Sequence, residues 1–221
     1  LNAQYLNGTT PIKDRISQLK SETNSQVNNV LFGIGSGGNT NDFSHIVQVY
    51  KNDTLKQQMY NNFQVILDLG INGFDFDCEE FTGITDRDKD LINVIVDMVS
   101  NFAKMGASIQ TFVPYNHQKS WNTCLEDIYK QNKKQLVNWW NLQCYAGGSN
   151  NKYDINKTWV ENIDANADVF GIDNNGSAYI VPGFSTTGPV QEVDRDFKTY
   201  AAGIVDGGFV WNWPDSEPTQ L

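Results

Sequence analysis

The chain has 221 residues, 39% of them hydrophobic and 12% aromatic, which is enough for one substantial domain (residues 1–221) with a buried core. Its net charge of −10 argues against nucleic acid and anionic membranes, which call for Lys/Arg-rich faces, and leaves a neutral polysaccharide acceptable as a partner. No apolar run approaches roughly 18 residues, so no membrane span is expected. Nothing at the start of the chain resembles a signal peptide, so the sequence reads as a mature or trimmed form. Three cysteines are too few for a disulfide framework, and Cys78 and Cys144 read as buried free thiols.

Strand patterns alternate with amphipathic helical ones, the order of a parallel α/β fold. Leu1–Leu6 reads as a strand, and Thr10-Pro11 opens a helix with Ile12, Ile16 and Leu19 on one face. Val30–Ile34 is a strand running into a glycine-rich turn that ends at Gly38. Those glycines let backbone approach closely, but no Gly-Lys-Ser/Thr follows and no dinucleotide fingerprint fits, so a structural turn is preferred to a phosphate loop. His45 falls in a helical stretch and reads as packing or surface. Asp53 is the expected cap of a helix carrying Leu55, Met59, Phe63 and Leu67, with Gly70 as its stop.

The stretch from Asn72 to Glu80 reads Asn-Gly-Phe-Asp-Phe-Asp-Cys-Glu-Glu. Alternation along a strand at Phe74–Asp77 puts Asp75, Asp77 and Glu79 on one face and Phe74, Phe76 and Cys78 on the other. Each two-residue step covers roughly 6.6–7 Å, so neighbouring carboxylates share a field and compete for protons. Like charges on one strand face cost stability, which favours a site over a structural role.

Downstream, the charge run Asp86-Arg-Asp-Lys-Asp90 reads as a solvated helix start, where acids favour the dipole. It leads into a helix with Leu91, Ile95, Met98, Phe102 and Met105 on one face, ending at Gly106. Ala107–Val113 is the next strand. His117, in the loop after it, reads as surface or, less readily, as groove lining. Further helices fit Cys124–Leu136, Lys157–Ala165 and Pro189–Ala202, and further strands fit Trp140–Tyr145, Val169–Asp173 and Gly208–Trp213. Gln143 and Tyr145 share one strand face. Alone, Tyr145 would read as a core tyrosine with a satisfied hydroxyl.

Asp-Gly-x-Asp-x-Asp-x-Glu at the end of the fourth barrel strand is the signature of glycoside hydrolase family 18, the retaining chitinases and endo-β-N-acetylglucosaminidases. This chain resembles it from Gly73 to Glu79, with Asn72 in place of the first Asp and Cys78 where many chitinases carry Trp. Val30–Gly38 resembles the family's third-strand Ser-x-Gly-Gly motif, with Gly33 where Ser is usual. Leu142–Gly148 looks like the Gln-x-Tyr strand of plant-type members, and Gly176–Pro182 and Gly207–Trp213 resemble the same enzymes.

The resemblance implies a (β/α)8 TIM-type barrel, incomplete here, with seven strands recognisable and the first strand and last helix not seen. It implies hydrolysis of β-1,4-linked N-acetylglucosamine polymers by a retaining, substrate-assisted route. Glu79 would be the acid, then the base. Asp77 would orient the acetamido group, Asp75 would tune Asp77 by sharing a proton or hydrogen bond with it, and the Tyr145 hydroxyl would contact the same group. Gln143, Gly35 and Ser36 would line the site. Trp211 or Trp213, with Trp211 favoured, would floor a sugar subsite. No cofactor or metal is expected, and the resemblance fits a secreted monomer whose partner is an oligo- or polysaccharide containing N-acetylglucosamine.

Three other readings stay open. One is an endo-β-N-acetylglucosaminidase acting on N-glycans. Another is a non-catalytic sugar-binding or storage protein, although such relatives commonly lose the acid that Glu79 retains. The third is a Mg²⁺ or Ca²⁺ site at Asp-x-Asp-x-Glu, which no further ligand-spaced His or Asp group supports.

Overall fold

The structure, a computed structural model, describes residues 12–37, 41–173, 175–185 and 190–211. Six strands form one parallel sheet in sequential order: β1 Leu31–Gly35, β2 Gly73–Asp77, β3 Ile109–Phe112, β4 Trp139–Gln143, β5 Ile180–Ser185 and β6 Phe209–Trp211. Parallel neighbours cannot be joined by hairpins, and helices make the crossings. These are α1 Ile12–Ser21, α2 Asp42–Tyr50, α3 Asp53–Leu67, α4 Asp86–Met105, α5 Gln118–Asn132, α6 Glu161–Ala165, α7 Ala167–Phe170, α8 Gly176–Tyr179 and α9 Val190–Tyr200. Among the described residues no helix is long and apolar enough to cross a membrane.

The expected closed eight-stranded barrel is not what forms. Among the described residues β1 and β6 each have a neighbour on one side only, so the sheet is an open, curled half-barrel. The expected strand at Val169–Asp173 is instead α7 and a turn, stopped by Gly171 at φ 65°. Ala167 and Phe170 are buried, so this short run packs as a helical turn rather than pairing. The strand in that part of the sheet is β5, which starts within the Gly176–Pro182 stretch. Pro182 argues against a central strand on sequence, yet it pairs opposite Leu142. The expected strand Leu1–Leu6, the Thr10-Pro11 helix start and Trp213 lie outside the described residues.

Local chemistry explains most helix limits. Asn52, rather than Asp53, caps α3, its side chain accepting from Leu55 N at 3.1 Å. Helix α4 starts at Thr85, whose side chain accepts from Asp88 N, and stops at Gly106 in the left-handed region at φ 103°. The run at its start is not all solvated. Asp86 is exposed, but Asp88 is fully buried and accepts from Thr82 N at 2.9 Å, from Gly83 N and Ile84 N at 2.8 Å, and from Ser120 of α5 at 3.1 Å. Those donors outweigh the burial that would raise the Asp88 carboxyl and hold it far below the ordinary carboxylate range.

Asn72, the position where the motif departs from Asp, has a structural role. Its Oδ1 accepts from Lys20 Nζ at 2.7 Å and from Val30 N at 3.0 Å, tying α1 and the entry of β1 to the foot of β2. Asn72→Leu removes the acceptor and is expected to lower stability by about 1–3 kcal/mol. Asn72→Asp keeps it, and should stay within about 0.5 kcal/mol of the parent, since the added pair with Lys20 is only part-buried. Urea denaturation of the two variants checks this, and equal losses in both would refute the assignment.

Candidate active site

β2 has apolar residues at alternate positions, and helix packing decides which way they face. Phe74, Phe76 and Cys78 are all at 1% exposure or less, turned onto α4 and its neighbours. Asp75, Asp77 and Glu79 therefore project from the concave face, as the alternation predicts. The facing strands continue the site. Gln143, at the end of β4, donates from Nε2 to Asp77 Oδ1 at 3.2 Å, to Glu79 Oε1 at 3.1 Å and to Val113 O at 3.3 Å. One buried amide thus spans both carboxyl groups.

These groups open into a cleft of about 480 Å³ lined by Ser36, Asp77, Glu79, Gln143, Tyr145 and Trp211, among others. Tyr145 and Trp211 stack with planes 6° apart and centroids 5.7 Å apart, and Trp211 remains 48% exposed. Asp75 lies beneath the cleft, where its Oδ1 accepts from Thr111 Oγ1 and from Asn141 Nδ2, the latter at 3.1 Å.

Two of the expected assignments change. Gly35 is a packing residue, not a lining one: it sits at φ 88°, and a Cβ there would lie 2.3 Å from Asp77 O and 2.6 Å from Phe43. Its neighbour Gly37 is the one that meets the acid, since a Cβ at that position would come within 2.7 Å of Glu79 Oε2. The hydrogen bond of Asp77 runs to Glu79, while Asp75 acts on Asp77 through its charge. His45 is exposed on α2, and His117 caps the start of α5 at φ 49° beside Gly83, away from the cleft.

Several supporting residues carried no sequence signal. Tyr115 donates its hydroxyl to Glu79 O at 3.1 Å, and Asn151 Nδ2 donates to Tyr115 O at 2.9 Å and Gln143 O at 2.6 Å. Glu80 turns the other way and accepts from Phe43 N at 2.7 Å, from the Ser44 amide and hydroxyl, and from Arg87 at 3.0 Å, thereby anchoring the start of α2. Asn141 was findable in principle, two residues before Gln143 on the same strand face. Thr111 was not, because the register of β3 is invisible in sequence.

The electrostatics separate the acids. Burial, then the charges of Glu79 and Asp75, and the hydrogen bond with Glu79 push the Asp77 carboxyl up to about 7. Burial also raises Asp75, with Thr111 and Asn141 opposing it. Burial and the fields of Asp77, Glu79 and Asp75 raise the Tyr145 phenol, so it stays protonated as a donor. Among the described residues no group of three His, Cys, Asp or Glu side chains is arranged to hold a metal ion. The free thiols are buried, and burial pushes Cys144 up to about 12.

No model of a known protein family matches the chain, and no curated protein matches it.

Because Asp77 titrates higher in the fold than in the unfolded chain (about 3.9 there), its ionisation costs stability as the pH rises between those two values. Asp77→Asn removes that cost. The variant should be more stable than the parent by about 1–3 kcal/mol at pH 8, with the gain vanishing near pH 4. Chemical denaturation at both pH values measures it, and a pH-independent difference would show that Asp77 is not the raised group.

Proposed function

We propose that the chain is a glycoside hydrolase that cleaves β-1,4 linkages in N-acetylglucosamine polymers with retention, using the substrate's own acetamido oxygen as nucleophile. The observation that carries this reading is the convergence of Asp77, Glu79, Gln143 and Tyr145 on one cleft beside the exposed face of Trp211. A sugar stacked on Trp211 would present its polar edge to the carboxyl groups. Glu79 protonates the leaving oxygen and later takes a proton from water. Asp77 and the Tyr145 hydroxyl hold the acetamido group as its oxygen swings onto the anomeric carbon.

Geometry favours substrate assistance over a two-carboxylate route. A retaining enzyme with a carboxylate nucleophile places its two carboxyl groups about 5–5.5 Å apart, on opposite sides of the anomeric carbon. Asp77 and Glu79 instead leave neighbouring positions on the same face of one strand, interact directly, and share Gln143 as a donor.

Glu79→Gln preserves shape but cannot donate the proton, so kcat on chitin oligosaccharides should fall by about 10²–10⁴-fold or more while binding persists. Near-normal kcat would remove Glu79 as the acid, and a high-mannose glycoprotein assayed beside the oligosaccharides separates chitin from N-glycan as substrate. A second test addresses the nucleophile. Thiazoline analogues of N-acetylglucosamine oligomers, which mimic the cyclised intermediate, should inhibit, and NMR of the fresh product should show the β anomer. Inverted product, or a glycosyl adduct trapped on Asp77, would exclude the substrate-assisted route.

A further inference from the structure

Asp75 is held by two strands other than its own. Thr111 reaches its Oδ1 from β3, and Asn141 Nδ2 reaches the same oxygen at 3.1 Å from β4. Asn141 is in turn bonded on its far side, where Trp139 Nε1 donates to Asn141 Oδ1 at 2.9 Å. An indole N–H can only donate, so it must meet the oxygen end of the amide. The amide NH₂ is thereby turned towards Asp75. Neither Trp139 nor Asn141 lines the cleft.

We propose that Trp139 and Asn141 are positioning residues, a donor relay beneath the cleft that holds Asp75 as a hydrogen-bond acceptor and keeps the cluster's shared proton on the Asp77–Glu79 side. This rests on the reading of Glu79 as the acid. A donor aimed at a carboxylate favours its charged form. The titratable groups around Asp75 are Asp77 beside it with Glu79 beyond, and Tyr145 just past the end of β4, none of which supplies positive charge. β1 and β3 set uncharged Gly33 and Thr111 opposite it. The amide of Asn141 and the hydroxyl of Thr111 are therefore what oppose the pull of burial on the proton. With the amide gone, Asp75 competes with Asp77 for the one proton, and the arrangement that leaves Glu79 able to donate is depopulated.

The test uses the intact protein and three variants: Asn141→Leu, which keeps the shape without the donor; Asn141→Asp, which adds an acceptor; and Trp139→Phe, which keeps an aromatic ring but removes the indole N–H. Carboxyl ¹³C NMR, assigned with Asp75→Asn, follows Asp75 in each. Its titration midpoint should rise by about 1 pH unit or more in both Asn141 variants, and by less in Trp139→Phe. The acid limb of kcat/KM on an N-acetylglucosamine oligomer should move to higher pH in step. An unmoved Asp75 midpoint in folded Asn141→Leu and Trp139→Phe would overturn the relay, as would a fall in kcat/KM with both limbs unchanged. A parent protein inert on every oligomer would defeat the glycosidase reading separately, and the NMR midpoints would still decide the relay.

Discussion

Phe74 of β2 lies on Phe102 of α4 with ring centroids 4.1 Å apart, and Phe63 meets both rings edge-on at 5.4 and 4.8 Å. Phe76 continues the group to Phe112 at 5.8 Å. This aromatic layer sets the register of the strand that carries the acids. Burying a phenylalanine contributes about 1.5–3 kcal/mol, and a slip of one residue would expose two of them while driving three carboxylates into the apolar layer. The second penalty is the larger one. The acids face the cleft because the rings cannot.

Curvature then brings separate strands to one point. Adjacent strands lie about 4.8 Å apart, so β2 and β4 in a flat sheet would be separated by nearly 10 Å. Yet Gln143 of β4 bonds Asp77 and Glu79, and Asn141 bonds Asp75. Two missing side chains permit this curl. A Cβ at Gly73 would fall 1.7 Å from Ile109 O, and one at Gly183 would fall 2.0 Å from the Phe209 ring. Phe209 occupies the space over Gly183 and packs edge-on against Tyr145 at 6.2 Å, backing the Tyr145–Trp211 stack.

What sequence reading could see follows from which signals are local. Alternation at Phe74–Glu79 and the i+4 face of α4 depend on neighbouring residues, and both describe the structure well. Sheet closure depends on contacts far apart in sequence, and there the expected barrel gave way to an open six-stranded arrangement. Ile180–Ser185 was hidden because Pro182 and Gly183 both argue against a strand, while Val169–Asp173 looked more strand-like than it is. Asp88 shows the same limit. Its sequence context is a charge run, and only the fold of the 82–84 loop back onto it, with Ser120 arriving from α5, makes it a buried acceptor.

Within fourteen residues, from Asp75 to Asp88, identical chemistry is put to opposite uses. Asp75 and Asp77 are raised, chiefly by burial without a cation, and Asp77 is pushed up to about 7. Glu80 and Asp88 are also penalised by burial, but backbone and hydroxyl donors outweigh it and their carboxyls are lowered. The signs of linkage differ accordingly. The stabilisation from Glu80 and Asp88 is present above the ordinary carboxylate range and fades only as the pH falls below it. The cost of charging Asp77 appears as the pH climbs towards 7. In mildly acidic solution the scaffold acids therefore stay ionised, anchoring α2 and the loop before α4, while the Asp77 carboxyl keeps its proton. A cleft carboxyl that stays protonated can coexist with a scaffold that needs charged ones because the donors around Glu80 and Asp88 outweigh their burial, while those that Gln143, Thr111 and Asn141 offer Asp77 and Asp75 do not.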